Sequence, residues 1–288
     1  MRSSRAEVGD AMFEKKTVGI LGAGNMGQAL MRGFLNSGLL GPDQIIASAR
    51  STATLDALRE GFGVTTTLNN RELVEKADIV LVGTKPYSVV PVLSEVASAL
   101  RERQMLISVA AGLRTDVIEA ALSLSLPVIR VMPNTPSLIG LGANAFCPGR
   151  YAEAGDIARV KALLESTGMA IQVSDDQMDS VTAISGSGPA YVFLFMEAFY
   201  DAAIGLGLAP DRAHALVNQT MRGAVELACT SEDTPSVLRR KVTSPGGVTA
   251  EAIAAFEAGD FRGIIKRAIQ AGHDRSAEMT RVCDGESR

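Results

Sequence analysis

The positions best suited to chemistry in this sequence are glycines and hydroxyls, gathered in two short stretches. In the first, Gly22, Gly24 and Gly27 follow the apolar Val18, Ile20 and Leu21, and Met26, Ala29, Leu30 and Phe34 then recur at helical spacing. That is the order strand, tight turn, helix. Gly22 permits the turn, Gly24 lets the backbone approach a pyrophosphate, and Gly27 lets the helix close on the strand. Unpaired N–H groups at the helix N-terminus would face the anion. The alternative is a glycine-rich turn of structural use only, but the motif opens the first βαβ unit, which favours a dinucleotide. The second stretch, Thr243-Ser244-Pro245-Gly246-Gly247-Val248-Thr249, also ends where a helix begins. N–H groups around Gly247 to Thr249 can hold a carboxylate, with the Ser244 and Thr249 hydroxyls beside it. The competing reading is a simple helix cap by Thr249.

Composition removes several other chemistries. The 288 residues are 47% hydrophobic and 21% charged, with a net charge of −4. This is the balance of a globular protein with no basic stripe for nucleic acid, so the expected partners are small molecules. His214 and His273 lie far apart, and Cys147, Cys229 and Cys283 form no CxxC, so no metal site is expected. Such cysteine usage suits a reducing cytoplasm. Met1 to Glu14 is polar and charged, reading as a loose extension with no apolar core of a signal peptide. Gly188 to Leu206 is the one stretch resembling a membrane span, but Glu197 and Asp201 near its middle make a buried helix the better reading.

The elements that position the first motif are α/β in type. Gln44 to Arg50, Ala77 to Gly83, Gln104 to Val109 and Pro127 to Met132 read as strands, separated by helical segments such as Val89 to Leu100 and Thr115 to Leu122. Alternation of this kind predicts a doubly wound parallel sheet of Rossmann type, with two last strands at Ala143 to Cys147 and Met169 to Val173 around a helix Ala154 to Glu165. The loops Gly83-Thr84-Lys85-Pro86, Ala110-Ala111-Gly112 and Met132 to Pro136 should share the crevice of the glycine turn, as a nicotinamide pocket or as ordinary βα connections. At the end of the second strand stand Ser48 and Arg50, with no acid before Asp56. Small polar and cationic groups there suit a 2′-phosphate, so NADPH is expected over NADH.

Beyond Ser174 the strand pattern stops and helices follow: Met178 to Ile184, Pro189 to Leu206, Pro210 to Cys229, Pro235 to Val242, Thr249 to Ala258 and Asp260 to Thr280. The expected domains are therefore 15–174, a dinucleotide-binding Rossmann unit, and 175–281, an all-helical substrate-binding and dimerisation unit. Pro189 to Leu206 is apolar nearly all round, which calls for cover by a second subunit. Where hydroxyacid dehydrogenases of related architecture carry a lysine and an asparagine, this helix has Val192 and Met196. Without that proton-transfer apparatus, a cyclic imine is a better acceptor than a ketone, because a protonated C=N is already electrophilic.

On these residues the chain resembles the pyrroline-5-carboxylate reductase family from about Thr17 to Thr280. Its most specific part is Pro235 to Glu257; Val18 to Met26, Arg130 to Pro136 and Ser185 to Tyr191 match the family's other recurring stretches. The resemblance implies NAD(P)H-dependent reduction of 1-pyrroline-5-carboxylate to L-proline, the last step of proline synthesis. It places the substrate carboxylate on Ser244, Gly246, Gly247 and Thr249, with the Thr249 hydroxyl on the ring nitrogen. It sets Gly22, Gly24, Asn25 and Met26 against the pyrophosphate, Asn70 toward the adenosine end, and Thr84, Lys85 and Pro86 along the path to the nicotinamide. Lys85 is then structural or cofactor-facing and not a base. Gly83 and Thr84 depart from the family's small apolar pair, a change expected to alter packing more than chemistry. The resemblance also implies an obligate homodimer with active sites near the interface, in many members as a ring of five dimers. The alternatives are a related imine reductase for another ring size and a non-catalytic dinucleotide sensor of the same fold.

Overall fold

A computed structural model describes residues 12–283. The expected loose extension Met1 to Glu14 lies mostly outside these residues, but Phe13 is part of the core, 1% exposed. The Phe13 carbonyl accepts from Gln44 Nε2 at 2.8 Å.

The first unit is built on an eight-stranded sheet in the order β3-β2-β1-β4-β5-β6-β7-β8. Its strands are β1 (Val18–Leu21), β2 (Ile45–Ser48), β3 (Thr65–Thr67), β4 (Ile79–Val82), β5 (Met105–Ser108), β6 (Val128–Met132), β7 (Gly142–Pro148) and β8 (Gly168–Gln172). The helices between them are α1 (Asn25–Asn36), α2 (Thr52–Phe62), α3 (Asn70–Lys76), α4 (Pro86–Val96), α5 (Thr115–Ala120) and α6 (Ala154–Glu165). Strand residues alternate between the two covered faces, as a doubly wound sheet requires. Val18, Ile20, Ile79 and Leu81 join Leu30 and Phe34 of α1 and Leu163 of α6. Leu21, Val80 and Val82 join Leu73 of α3 and Val89 and Leu93 of α4.

Two features differ from the expected all-parallel sheet. β7 pairs with β6 antiparallel, so β7 and its parallel neighbour β8 run against the other strands. A parallel pairing needs a crossover of a dozen or more residues. The link from β6 to β7 is only a short turn, Thr135–Ile139, closed by Gly140 in the left-handed region at φ 75°. The second difference is β3, which the sequence conceals because Thr65, Thr66 and Thr67 offer no apolar run; they pair parallel with Ile46 to Ser48 at the sheet's edge.

The expected boundary near Ser174 also shifts. The compact units part between Ser187 and Gly188, and residues from Gly272 on belong to the first unit. Side chains just after Ser174 explain this. Asp175 accepts from Arg130 Nη1 of β6 at 2.6 Å, in a pair whose side chains are 3% and 15% exposed, and from the Thr115 N–H and hydroxyl at 3.3 Å. Asp179, in α7 (Met178–Val181), accepts from Ser276 at 2.6 Å and Thr280 at 3.1 Å on the last helix. Burial, with the Asp175 charge beside it, pushes the Cys147 thiol up to about 11, which leaves it an inert core residue.

The second unit, Gly188–Ala271, is helical. It contains α8 (Gly188–Gly205), α9 (Pro210–Thr230), α10 (Pro235–Lys241), α11 (Val248–Ala258) and the first part of α12 (Phe261–Cys283). Phe195, Phe199, Phe256 and Phe261 make its aromatic cluster, with ring centroids 4.8–6.1 Å apart. α8 buries no residue within the single chain, although its sequence is apolar nearly all round; Phe193 and Leu194 are 57% and 67% exposed. Among the described residues, no helix is long and apolar enough to cross a membrane.

Removing one partner of a buried ion pair leaves the other charge uncompensated. Asp175→Ala is therefore expected to lower the unfolding free energy by about 3–5 kcal/mol. Urea denaturation checks this, and a loss under about 1 kcal/mol would show that Arg130 finds another partner.

Candidate active site

The glycine turn joins β1 to α1, and each of its glycines has a separate physical reason. Gly22 takes φ +76°, a conformation that L side chains rarely adopt, and a Cβ on it would meet Thr84 Cγ2 at 2.6 Å. Gly27 packs closely: its Cβ would lie 3.2 Å from Ile20 Cγ2. Gly24 differs from both. Its φ of −76° is open to any residue and a Cβ there would meet nothing within 4 Å. It is the N-cap of α1 and, having no side chain, makes no cap hydrogen bond. The N–H groups of Asn25, Met26 and Gly27 consequently have no intrahelical partner. Open space beside unpaired N–H groups is an anion cradle.

Neighbouring strands hold the turn in place. Ala23 N donates to the Ser48 carbonyl at 2.8 Å, and Gly83 N to the Leu21 carbonyl at 2.8 Å. Gly83 is required by this approach, since a Cβ on it would sit 2.8 Å from the Gly22 carbonyl oxygen. Thr84 lies over Gly22, and among the described residues its Oγ1 is the only buried side-chain polar atom without a hydrogen-bond partner. Lys85 is exposed at the N-cap of α4 and its side chain does not cap the helix; Pro86 is that helix's first residue. The other two expected crevice loops are engaged with their own unit. Gly112 lies against Met279 and Thr280, and the Asn134 amide bonds to the Ser185 carbonyl and the Ala143 N–H at 3.1 and 2.9 Å.

At the end of β2, the two residues expected to meet a 2′-phosphate behave differently. Arg50 is exposed. Ser48 is buried at 1%, its hydroxyl accepting from Gly22 N at 3.3 Å and donating to Asn70 Oδ1 at 2.8 Å. That hydroxyl is turned inward, onto the glycine turn and Asn70, rather than toward solvent at the end of the strand. Asn70 Nδ2 in turn donates to Glu95 at 3.3 and 3.5 Å. Glu95 lies 25 residues along the chain, and no sequence signal links the two. Exposed Ser51, next to Arg50, is the N-cap of α2 and accepts from Thr54 N at 3.3 Å.

The loop expected to hold a carboxylate belongs to the second unit. Ser244-Pro245-Gly246-Gly247 is a β-turn with Gly247 N on the Ser244 carbonyl at 3.1 Å and Gly246 at φ +66°. Proline followed by a positive-φ glycine is the chemistry of a type II turn. Gly247 is the N-cap of α11, and a Cβ on it would meet Ser244 Oγ at 2.4 Å. Thr249 is the second residue of that helix and not its cap, so the capping reading does not match the geometry. N–H groups of Val248 and Thr249 point from the helix start without intrahelical partners. Among the described residues, no group of three or more His, Cys, Asp or Glu could hold a metal ion.

Comparison with known proteins matches residues 175–279 to the pyrroline-5-carboxylate reductase dimerisation family and residues 17–112 to a family described as NADP oxidoreductase, coenzyme F420-dependent. Pyrroline-5-carboxylate reductase of Pseudomonas aeruginosa is 38% identical over 91% of this chain and 96% of its own length. The enzyme of that name from Corynebacterium melassecola is 37% identical over 91% of this chain and 98% of its own. The chain belongs to the pyrroline-5-carboxylate reductase family. A solved structure in this family, Plasmodium falciparum pyrroline carboxylate reductase with NADP bound, superposes with a TM-score of 0.86 at 30% identity, covering 93% of this chain and 99% of that one.

The glycines of the turn should respond differently to a methyl group. Gly22→Ala is expected to destabilise the fold by about 1–3 kcal/mol, from strain and the Thr84 clash. Gly24→Ala should stay within about 0.5 kcal/mol of the parent, a change typical of surface substitutions. Chemical denaturation of both variants checks the contrast, and equal losses would mean that Gly24 serves packing.

Proposed function

We propose that this chain reduces 1-pyrroline-5-carboxylate to L-proline with NADPH as the preferred reductant and NADH as a weaker alternative. The observation that carries the cofactor half is the open cradle at Gly24, where a Cβ would meet nothing within 4 Å among the described residues, beside three helix-start N–H groups without intrahelical partners. Gly22, Gly24, Asn25 and Met26 would hold the pyrophosphate, Arg50 the 2′-phosphate, and Asn70 the adenosine ribose region. Thr84, Lys85 and Pro86 would line the way to the nicotinamide. When bound, the reduced nicotinamide supplies the hydride that saturates the C=N bond.

The substrate half rests on the loop before α11. Its N–H groups would bind the carboxylate, with Ser244, Gly246 and Gly247 shaping the turn around it. Thr249 then reaches the atom one bond from the carboxylate-bearing carbon, the ring nitrogen, and its hydroxyl would orient the imine and steady its protonated form. No buried acid or base is needed for this role, because the imine nitrogen is protonated more readily than a ketone oxygen. The families matched at 17–112 and 175–279 support a cofactor-binding part followed by a substrate and dimerisation part, although the compact units themselves divide at Ser187 and Gly188. Free, widely spaced cysteines support a reducing, cytoplasmic setting.

An exposed apolar α8 supports an obligate homodimer, since a helix apolar all round needs cover that one chain does not provide. Five such dimers in a ring are the further assembly the family resemblance suggests. Light scattering at micromolar concentration is expected to find no monomer, and a stable active monomer would overturn the dimer.

NADPH oxidation measured with pyrroline-5-carboxylate beside piperideine carboxylates tests the reaction. The five-membered ring is expected to give the highest kcat/KM, and preference for a six-membered ring would reassign the substrate. Thr249→Val keeps shape and removes the hydroxyl; it should lower kcat/KM by roughly ten- to a thousandfold, about 1.4–4 kcal/mol, with NADPH binding and melting temperature nearly unchanged. Near-normal kcat/KM would remove Thr249 from the mechanism.

A further inference from the structure

Hydrogen bonds around the glycine turn have a fixed direction, and that direction dictates what Asn70 can offer a ligand. Gly22 N is a backbone N–H and can only donate, so Ser48 Oγ, 3.3 Å away, accepts. The Ser48 proton is then free to donate, and it lies on Asn70 Oδ1 at 2.8 Å. An asparagine amide has one oxygen and one NH2 group. With its oxygen held inward by Ser48, Asn70 turns its NH2 outward, and this group already meets an anionic acceptor, the Glu95 carboxylate, at 3.3 and 3.5 Å. Ser48 itself is 1% exposed and cannot reach a bound molecule without leaving its place in β2.

Resting on the cofactor reading above, we propose that Ser48 is a positioning residue that links the glycine turn to Asn70 and makes Asn70 a donor to an acceptor oxygen of the dinucleotide. The chemistry selected is a ribose or phosphate oxygen common to NADPH and NADH. Discrimination between the two cofactors is left to Arg50, whose guanidinium is exposed at the end of the same strand. Ser48 thus acts on affinity for both cofactors, and Arg50 on the ratio between them.

The test is fluorescence titration of NADPH and NADH into the full-length chain and its variants, with melting temperature recorded for each. Ser48→Ala and Asn70→Ala should each weaken both cofactors by about tenfold, the size of one lost hydrogen bond to a charged or strongly polar oxygen, and leave the NADPH/NADH ratio unchanged. The double variant should bind no more weakly than Asn70→Ala alone, because Ser48 acts through Asn70. Arg50→Ala should narrow the ratio. Asn70→Asp keeps an acceptor for Ser48 but presents a carboxylate outward, so it should bind at least as weakly as Asn70→Ala; this variant decides the matter should Ser48→Ala not fold. Losses that multiply in the double variant, a Ser48→Ala enzyme that loses NADPH affinity alone, or an Asn70→Asp enzyme that binds like the parent would each overturn the proposal. A parent chain that binds neither nucleotide would overturn the proposed function and this inference together.

Discussion

Unpaired backbone N–H groups at the start of α1 are the constraint around which the first unit is arranged. A helix cannot satisfy its own first N–H groups, and here the N-cap is a glycine with no side chain to help. Everything adjoining that point keeps it open and fixed. Gly22 bends the chain, Gly27 draws α1 onto β1, and Gly83 lets β4 end against the turn's carbonyl. Ser48 accepts the Gly22 N–H from below. A dinucleotide pyrophosphate is an acceptor of the right charge for such a cradle, and Thr84, whose buried hydroxyl has no hydrogen-bond partner, packs its methyl group against Gly22 of the turn.

The same device recurs at α11, where the proposed ligand is a carboxylate. Gly247 is again an N-cap without a side chain, and the preceding type II turn is set by Pro245 and Gly246. A single negative carboxylate needs fewer N–H groups than a pyrophosphate, and no arginine. Two helix starts, one per unit, thus account for most of the polar recognition that the proposed reaction demands.

Much of this was legible before any coordinates, for physical reasons that can be named. Parallel strands buried on both faces are continuous apolar runs, so β1, β4, β5 and β6 stood out, and the glycines of both loops marked tight turns ahead of helix starts. β3 did not stand out, because three threonines at an exposed edge carry no hydrophobic signal. The reversal of β7 was hidden in the length of one turn, and the boundary shift in two aspartates, Asp175 and Asp179, whose partners are distant in sequence. Ser48 is the instructive case. Its residue type and position suited a phosphate, but the direction of its hydrogen bonds, visible only in three dimensions, turned it into a support for Asn70.

Phosphorus NMR of NADP+ titrated with the full-length chain addresses the cradle at Gly24 most directly, because the pyrophosphate and the 2′-phosphate report separately. Both sets of resonances should shift and broaden on binding to the parent chain. With Gly24→Ala, the pyrophosphate resonances should stay near their free positions at protein concentrations that fully bind NADP+ in the parent. Pyrophosphate shifts that survive unchanged in Gly24→Ala, or a parent chain that leaves them unmoved, would contradict the account.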